Sequence, residues 1–503
     1  MPQITLQELE SKLWAAANSL RGPVDPTDFK SYIFPMLFLK RISDTWDYEL
    51  DLARQKYPSM ADADLISFPE NFTFQIPDGC HWSDLRSTTE NLGNAIQGIL
   101  DHIEGANQDT LADIFGEAAW ENKGKLPEAS LQSLIEVFDA LKLDPTSAPG
   151  DIMGQAYEYL LKQFADETGK KAGEFFTPRP VVSLLAGLVE PKKGDSVYDP
   201  TCGSGGMLIE AATNAARRGV DVRTLKLFGQ EINLTTSAIG RMNLFLHDIS
   251  DAQIARGDTL ADPKFLNSDG TLRRFNVCIA NPPFSFENWD QKAWADDSFG
   301  RNRYGTPPAG NADFAFVQHM IASLDEGDGR MAVVLPHGVL FRGGAEKKIR
   351  QAVLTEGLVI SVIGLAPNLF YNTSIPVCIL VCARTNRAEL KGSVLFIDAS
   401  RRFQKGKARN TMSEADVQAI EAAFKTAKDP DGDDGVNVRI VPLPEIESND
   451  YDLSIGRYIK RAAAEIADVP SALAAYKLSS EAFRTAEADL LAEMEADGYD
   501  AAS

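Results

Sequence analysis

Ser196-Val197-Tyr198-Asp199-Pro200-Thr201-Cys202-Gly203-Ser204-Gly205-Gly206-Met207 is the stretch that decides the fold. It reads as a short apolar strand, a glycine-rich turn and a helix running from Met207 to Ala216. Glycines let the backbone approach a ligand closely, and the helix N-terminus adds unpaired N–H groups. Asp199 stands at the strand end, where a carboxylate can bond a ligand amine or ribose hydroxyl. The alternative is a tight strand-to-helix turn with no ligand. The density of glycines between strand and helix counts against it.

Outward from this turn, strands alternate with helices. The apolar runs place strands at 196–198, 226–229, 275–280, 330–335, 358–364, 377–383 and 393–397. Helices are expected at 152–164, from the Phe-Phe-Thr-Pro loop through Val189, at 207–216, 234–246 and 312–324. That alternation predicts an α/β fold with a mostly parallel, doubly wound sheet. The last strands are joined by short links, which predicts an antiparallel edge. Ligands in such sheets bind beyond the carboxyl ends of the strands, where Asp199, Glu231 and Asn281 all fall.

The run Phe275 to Ala280 ends at Asn281-Pro282-Pro283-Phe284. Neither proline can donate a ladder hydrogen bond, so the strand stops there and the backbone is held rigid. An amide oxygen beside a fixed carbonyl makes two acceptors facing one way. Such a pair suits a planar –NH2 group, with Phe284 able to stack on the ring that carries it. Alone, a strand-ending Asn-Pro-Pro also occurs by chance; the glycine turn upstream changes its weight.

Together these motifs resemble the DNA adenine-N6 methyltransferases that use S-adenosylmethionine (AdoMet), and more closely the modification subunits of type I restriction-modification systems. The resemblance covers nearly the whole chain. It rests on Gly173-Glu174-Phe175-Phe176-Thr177-Pro178-Arg179-Pro180, Asp199 to Met207, Gly229-Gln230-Glu231-Ile232-Asn233, Gly257-Asp258-Thr259-Leu260 and Asn281 to Phe284, in that order. It implies a Rossmann-like AdoMet-dependent methyltransferase sheet and site-specific adenine methylation (EC 2.1.1.72) that protects host DNA. It also implies a cofactor group of Gly173, Glu174, Phe175, Phe176, Thr177, Pro178, Asp199, Thr201, Cys202, Gly203, Ser204, Gly205, Gly206, Glu231 and Asp258. Within that group, Glu231 would take the ribose hydroxyls, Asp258 the adenine amino group, and Phe176 with Thr177 the methionine end. Asn281, Pro282, Pro283 and Phe284 form the catalytic group. Position 202 is one such enzymes vary, so Cys202 is not expected to do chemistry. The implied partners are a DNA specificity subunit, a second copy of this chain, a restriction nuclease/translocase subunit and duplex DNA with a flipped adenine. Other readings are a cytosine-N4 or protein-glutamine methyltransferase, a non-catalytic AdoMet-binding scaffold of a phage-defence assembly, and a nucleotide-binding oxidoreductase. The missing Gly-x-Gly-x-x-Gly spacing counts against the last.

Composition bounds the rest. The 503 residues suffice for about three domains. Their net charge of −22 should repel a duplex, which argues that a partner grips the DNA; acidity common to bacterial proteins is the bland alternative. No apolar run is long enough to span a membrane, and the N-terminus lacks the character of a signal peptide. The five scattered cysteines read as reduced core residues in the cytoplasm, and Cys378 and Cys382 lack zinc-site spacing. No metal is expected.

Three segments are expected: an N-terminal helical domain over 1–146, a methyltransferase domain over 151–448 and a C-terminal helical segment over 449–503. The first shows helical spacing at Leu6, Leu9, Leu13 and Leu20, again from Phe29 to Ile42, and over 92–103 and 131–143. Asp144 to Gly150 reads as a linker. Residues 428–435 mimic a calcium loop, but the glycine falls one place late and no Glu closes it, so they read as an acidic turn. The apolar stripe Ala463, Ile466, Leu473, Phe483, Leu490 and Leu491 either docks a partner or packs back on the sheet domain. The segment 286–311, with Arg301 and Arg303, reads either as a mobile loop contacting phosphate or as a surface insertion.

Overall fold

The computed structural model describes residues 3–168, 177–370, 373–407, 409–429, 435–459 and 469–496. Gly173, Glu174, Phe175, Phe176, Ala463, Ile466 and most of the acidic turn at 430–434 lie outside them. Two compact units emerge, Met1–Ile455 and Gly456–Ser503.

Nine strands form one sheet: β1 (Ser196–Asp199), β2 (Lys226–Glu231), β3 (Gln253–Arg256), β4 (Val277–Ala280), β5 (Arg330–Pro336), β6 (Val359–Gly364), β7 (Val377–Ala383), β8 (Ser393–Asp398) and β9 (Asn437–Pro442). Their order is β3-β2-β1-β4-β5-β7-β6-β8-β9. The first five in that order run parallel. β7 lies antiparallel between β5 and β6, and β9 closes the far edge antiparallel to β8. The α/β, doubly wound architecture is as the sequence predicts. The reversed strand is not confined to the edge, because β6 crosses over β7's place before the chain turns back. β3 and β9 were not expected. Both are edge strands whose polar or half-exposed residues leave no apolar run to read.

The paired sheet is buried on both faces, which is why β4 to β7 read as near-continuous apolar runs. Helix Arg179–Val189 packs on β4, β5 and helix Gly206–Arg217. Helix Leu234–Leu246, which matches its expected bounds, faces two ways. Leu244 joins the sheet core, whereas Ala238, Ile239, Met242 and Leu246 complete the N-terminal helical core. That helical region contains Leu6–Ser19, Phe29–Lys56, Leu92–Ala106 and Glu128–Asp139, and helix Gly150–Thr168 packs against Leu234–Leu246. Tyr157 Oη donates to the Ile239 carbonyl at 2.9 Å.

The Asp144–Gly150 stretch is not a solvated linker. Asp144 is buried and accepts from the backbone N–H groups of Thr146 and Ser147. The buried Arg41 guanidinium donates to the carbonyls of Leu143 and Ala148. All five cysteines are buried and unpaired, as expected of reduced core residues. Among the described residues, no helix is long and apolar enough to cross a membrane. The second unit contains helix Val469–Ala496, on which Leu473, Tyr476, Leu478, Phe483 and Leu490 are exposed.

Candidate active site

The carboxyl ends of β1, β2 and β4 converge, and the turn after β1 is built around two left-handed glycines. Gly203 has φ 52° and Gly205 φ 77°, values a side chain resists. Helix Leu234–Leu246 presses on this turn so closely that a Cβ at Gly240 would stand 2.7 Å from the Gly203 carbonyl oxygen. Asn243 Nδ2 donates to the Ser204 carbonyl at 2.9 Å, and Cys202 N–H to Gln230 at 3.0 Å. The turn is therefore shaped by backbone contacts and is not free to collapse. Cys202 is buried, and burial pushes its thiol well up, which suits packing and not reactivity.

Two acids end β1 and β2, and a third, Asp258, follows β3. Asp199 is 1% exposed and its Oδ1 accepts from Thr201 N–H at 2.9 Å. Burial, reinforced by nearby Glu231, pushes its carboxyl up to about 7 against the pull of the Thr201 bond. Glu231 accepts Gly203 N–H on Oε2 at 3.1 Å and Asn233 N–H on Oε1 at 2.8 Å. Each oxygen keeps a further lone pair for a ligand hydroxyl. Burial raises Glu231 as well. Asp258 uses Oδ1 to hold Leu260 N–H at 2.9 Å. Beside Glu231, Ile232 is 58% exposed. A large apolar side chain offered to solvent at a buried strand's end leaves a surface on which a flat ring can pack. Sequence reading passed over it, although its place directly after a strand-ending acid was the available signal.

Asn281 leaves β4 into this rim. Its Nδ2 donates to Thr177 Oγ1 at 2.9 Å, which fixes which way the amide points. Its Oδ1 is buried and finds no hydrogen-bond partner among the described residues, and neither does Thr201 Oγ1. Leaving a buried acceptor unmatched costs about 1–3 kcal/mol, so such an atom marks a place for an external donor. Thr177, assigned with the cofactor group, thus reaches the catalytic group too. Phe284 meets Phe370, from the β6–β7 connection, edge-on at 5.8 Å. The turn at Ser285, φ 51°, is pinned by its N–H donating to Asp313 at 2.8 Å, and Arg342 holds Asp313 from behind at 3.0 Å. A cleft of about 360 Å³ opens beside Pro178 and Arg179, bounded by Leu369 and Asn410.

The segment 286–311 does not behave as a mobile phosphate-binding loop. Trp289, Trp294 and Leu260 form a local apolar cluster with Ala312, Ala315 and Phe316. Arg301 is 3% exposed, paired with Asp297 at 2.6 Å, and donates to the carbonyls of Thr259 and Leu260 at 2.9 and 2.8 Å. Thr259 in turn donates to the Pro200 carbonyl at 2.5 Å. Arg301 therefore braces the Asp258 loop against the glycine turn. Arg303 is half exposed and bound to Glu356. Arg301 is committed to the protein and out of reach of phosphate, while Arg303 is held in a half-exposed pair.

The donor set fits a cationic nucleoside cofactor: a backbone cradle, carboxylates at the ends of β1 and β2 and just beyond β3, and an exposed apolar shelf. Comparison with known proteins then decides the family. The N-6 DNA methylase family matches residues 148–466, and the HsdM N-terminal domain matches residues 9–138. The methylase subunit of the Mycoplasma pneumoniae type I restriction enzyme MpnII is 31% identical over 90% of this chain and 90% of its own length. The HindI methylase subunit of Haemophilus influenzae is 34% identical over 79% of this chain and 88% of its own. The chain belongs to the family of type I restriction enzyme methylase subunits. The crystal structure of a type I methyltransferase subunit from Streptococcus thermophilus superposes with TM-score 0.78 at 32% identity, covering 91% of this methylase subunit and all of that chain.

Proposed function

We propose that this methylase subunit transfers a methyl group from AdoMet to N6 of an adenine flipped out of duplex DNA, within a complex whose specificity subunit reads the sequence. The observation that carries the reading is the buried, unpartnered Asn281 Oδ1, aimed by the bond from its own Nδ2 to Thr177. AdoMet supplies a methyl group on a sulfonium, already a strong electrophile.

The residues do the rest. An adenine amine is conjugated with its ring and is a poor nucleophile. Asn281 Oδ1 and the Pro282 carbonyl accept its two N–H bonds and draw the nitrogen toward tetrahedral geometry. As N6 takes the methyl and the bonding pair stays on the sulfur of bound AdoMet, these acceptors would stabilise the charge growing on N6. The extra proton then passes to solvent, because neither acceptor is basic enough to keep it. Phe284, supported by Phe370, stacks on the extruded ring and repays part of the few kcal/mol that flipping costs. Pro283 keeps the acceptor pair rigid.

The cofactor group supports the other half. The backbone from Thr201 to Gly206, with Cys202 and Ser204 in it, receives the methionine portion; Glu231 takes the ribose, Ile232 the face of the adenine ring and Asp258 its amino group. Thr177 and Pro178 lead into the site, and Asp199 acts by its charge. The domain division at 1–146, 151–448 and 449–503 is part of this proposal, with the exposed apolar face of helix Val469–Ala496 docking the specificity subunit. A second copy of the chain and a restriction subunit complete the assembly, in the cytoplasm.

Labelled methyl transfer by the complex assembled with its specificity subunit tests the proposal. Asn281→Ala should lower the rate by about a hundredfold or more while donor binding persists. Transfer at full rate by that variant, or label on cytosine, would overturn it.

A further inference from the structure

The chain carries 72 acidic against 50 basic residues, yet one ten-residue stretch, Arg401-Arg402-Phe403-Gln404-Lys405-Gly406-Lys407-Ala408-Arg409-Asn410, holds five cations and no acid. It follows β8, which runs parallel to β6, so it leaves the sheet on the same rim as Asn281. Gln404 and Thr411 pair across it as an antiparallel bridge, making a hairpin that carries Lys405 and Lys407 beyond the bridge.

Not all five cations are available. Arg402 lies 3.9 Å from Asp416, and Arg409 pairs with Asp166 at 3.1 Å. Lys405 and Lys407 are exposed and meet no acid among the described residues. The hairpin's base is tied down: Asn410 N–H donates to the Asn368 carbonyl and Asn410 Nδ2 to the Pro367 carbonyl, both at 2.8 Å. Those two carbonyls belong to the β6–β7 connection that carries Phe370, the ring against Phe284. The lysines are thus positioned, through three residues of one connection, relative to the edge-on Phe284–Phe370 pair.

We infer that this hairpin is a phosphate-contacting element: Lys405 and Lys407 engage the DNA backbone flanking the flipped adenine. A surface of net charge −22 repels a duplex, so the rim that must approach DNA needs a local exception, and this hairpin supplies it without acids of its own. Lysine suits the task, since a backbone contact is a point-charge interaction that positions the duplex without reading it. The inference deepens the methyltransfer reading and rests on it.

The test uses the complex assembled with its specificity subunit, and fluorescence anisotropy with cognate and non-cognate duplexes across a salt series. The double variant Lys405→Ala/Lys407→Ala should reduce the slope of log K against log salt by roughly 1 per lysine, and weaken both duplexes by the same factor. Lys405→Arg/Lys407→Arg should restore the slope. An unchanged slope overturns the proposal, as does a loss confined to assembly with the specificity subunit, which would make the hairpin a protein-docking element. Asn281→Ala separates the two ideas: it should bind DNA with the full slope while failing to transfer methyl. A wild-type complex that binds DNA with a lysine-dependent slope but transfers no label would sink the methyltransfer reading and leave the hairpin's contact standing.

Discussion

Arg301 and Lys405 both sit in segments that follow a strand toward the same rim, yet one cation is sealed in and the other stands in water. Arg301 has an acid four residues earlier, Asp297, and aromatic neighbours in Trp294 and Phe299 at 4.6 and 5.2 Å from its guanidinium. A planar guanidinium with a matched carboxylate, two carbonyls, the His319 Nδ1 at 3.4 Å and two rings has every donor satisfied and can be buried. The hairpin offers its lysines no acid and only one aromatic, Phe403. What decides whether a cation meets DNA is the company in its own segment. A count of arginines near the catalytic group points to the wrong place.

The largest effect expected from this contrast is on stability. Arg301→Ala leaves the Asp297 carboxylate without its cation and two carbonyls without donors, and should cost about 3–5 kcal/mol in urea unfolding. If the variant unfolds like the parent and instead alters the salt dependence of DNA binding, the contrast is broken. Next comes Asp199, a buried charge with no cation beside it. Burial favours its protonated form, so it opposes folding increasingly as pH rises from about 4 toward 7. A cationic ligand favours the ionised form, so donor affinity should fall by up to about tenfold for each pH unit below 7. Calorimetric titration of AdoMet at pH 6 and 8 measures this, and Asp199→Asn should flatten the profile. The two-lysine change in the hairpin ranks third, with no effect on unfolding. Arg303→Ala should do least: its pair with Glu356 is half exposed and contributes about 0.5 kcal/mol or less, with no change in salt slope.

Much of the sheet was legible because burial on both faces writes a strand as an uninterrupted apolar run, as in Val377–Ala383 and Arg330–Pro336. Helix Leu234–Leu246 was legible to the residue, since Asn233 caps its start and accepts from Thr236 N–H. Strand order was not, because it depends on pairings between residues far apart in the chain. β3 escaped notice as a four-residue edge strand with Gln253 and Arg256 at its ends. In the site, Asn281, Glu231 and the glycines announced themselves through residue type and position. The Thr177 bond did not, since it joins residues 104 apart. The Asp297–Arg301 spacing with Trp294 was a readable sign of burial, and the lysine hairpin was readable too, but the net charge of the whole chain masked it.

One further consequence attaches to β7. Because it runs against its neighbours, the link from β6 turns back on the working rim within residues 365–376, where a parallel pair would have needed a crossover to the opposite end of the sheet. That turn carries Phe370 and anchors the hairpin through Pro367 and Asn368. Its residues Leu365, Ala366, Leu369 and Phe370 are buried and fix it to the core, whereas the exposed hairpin it anchors can be lengthened or trimmed at little cost, since closure entropy grows slowly with length. A single reversed strand therefore gives this enzyme an adjustable arm: its reach toward the double helix can drift through evolution while the scaffold that holds the reacting nitrogen stays fixed.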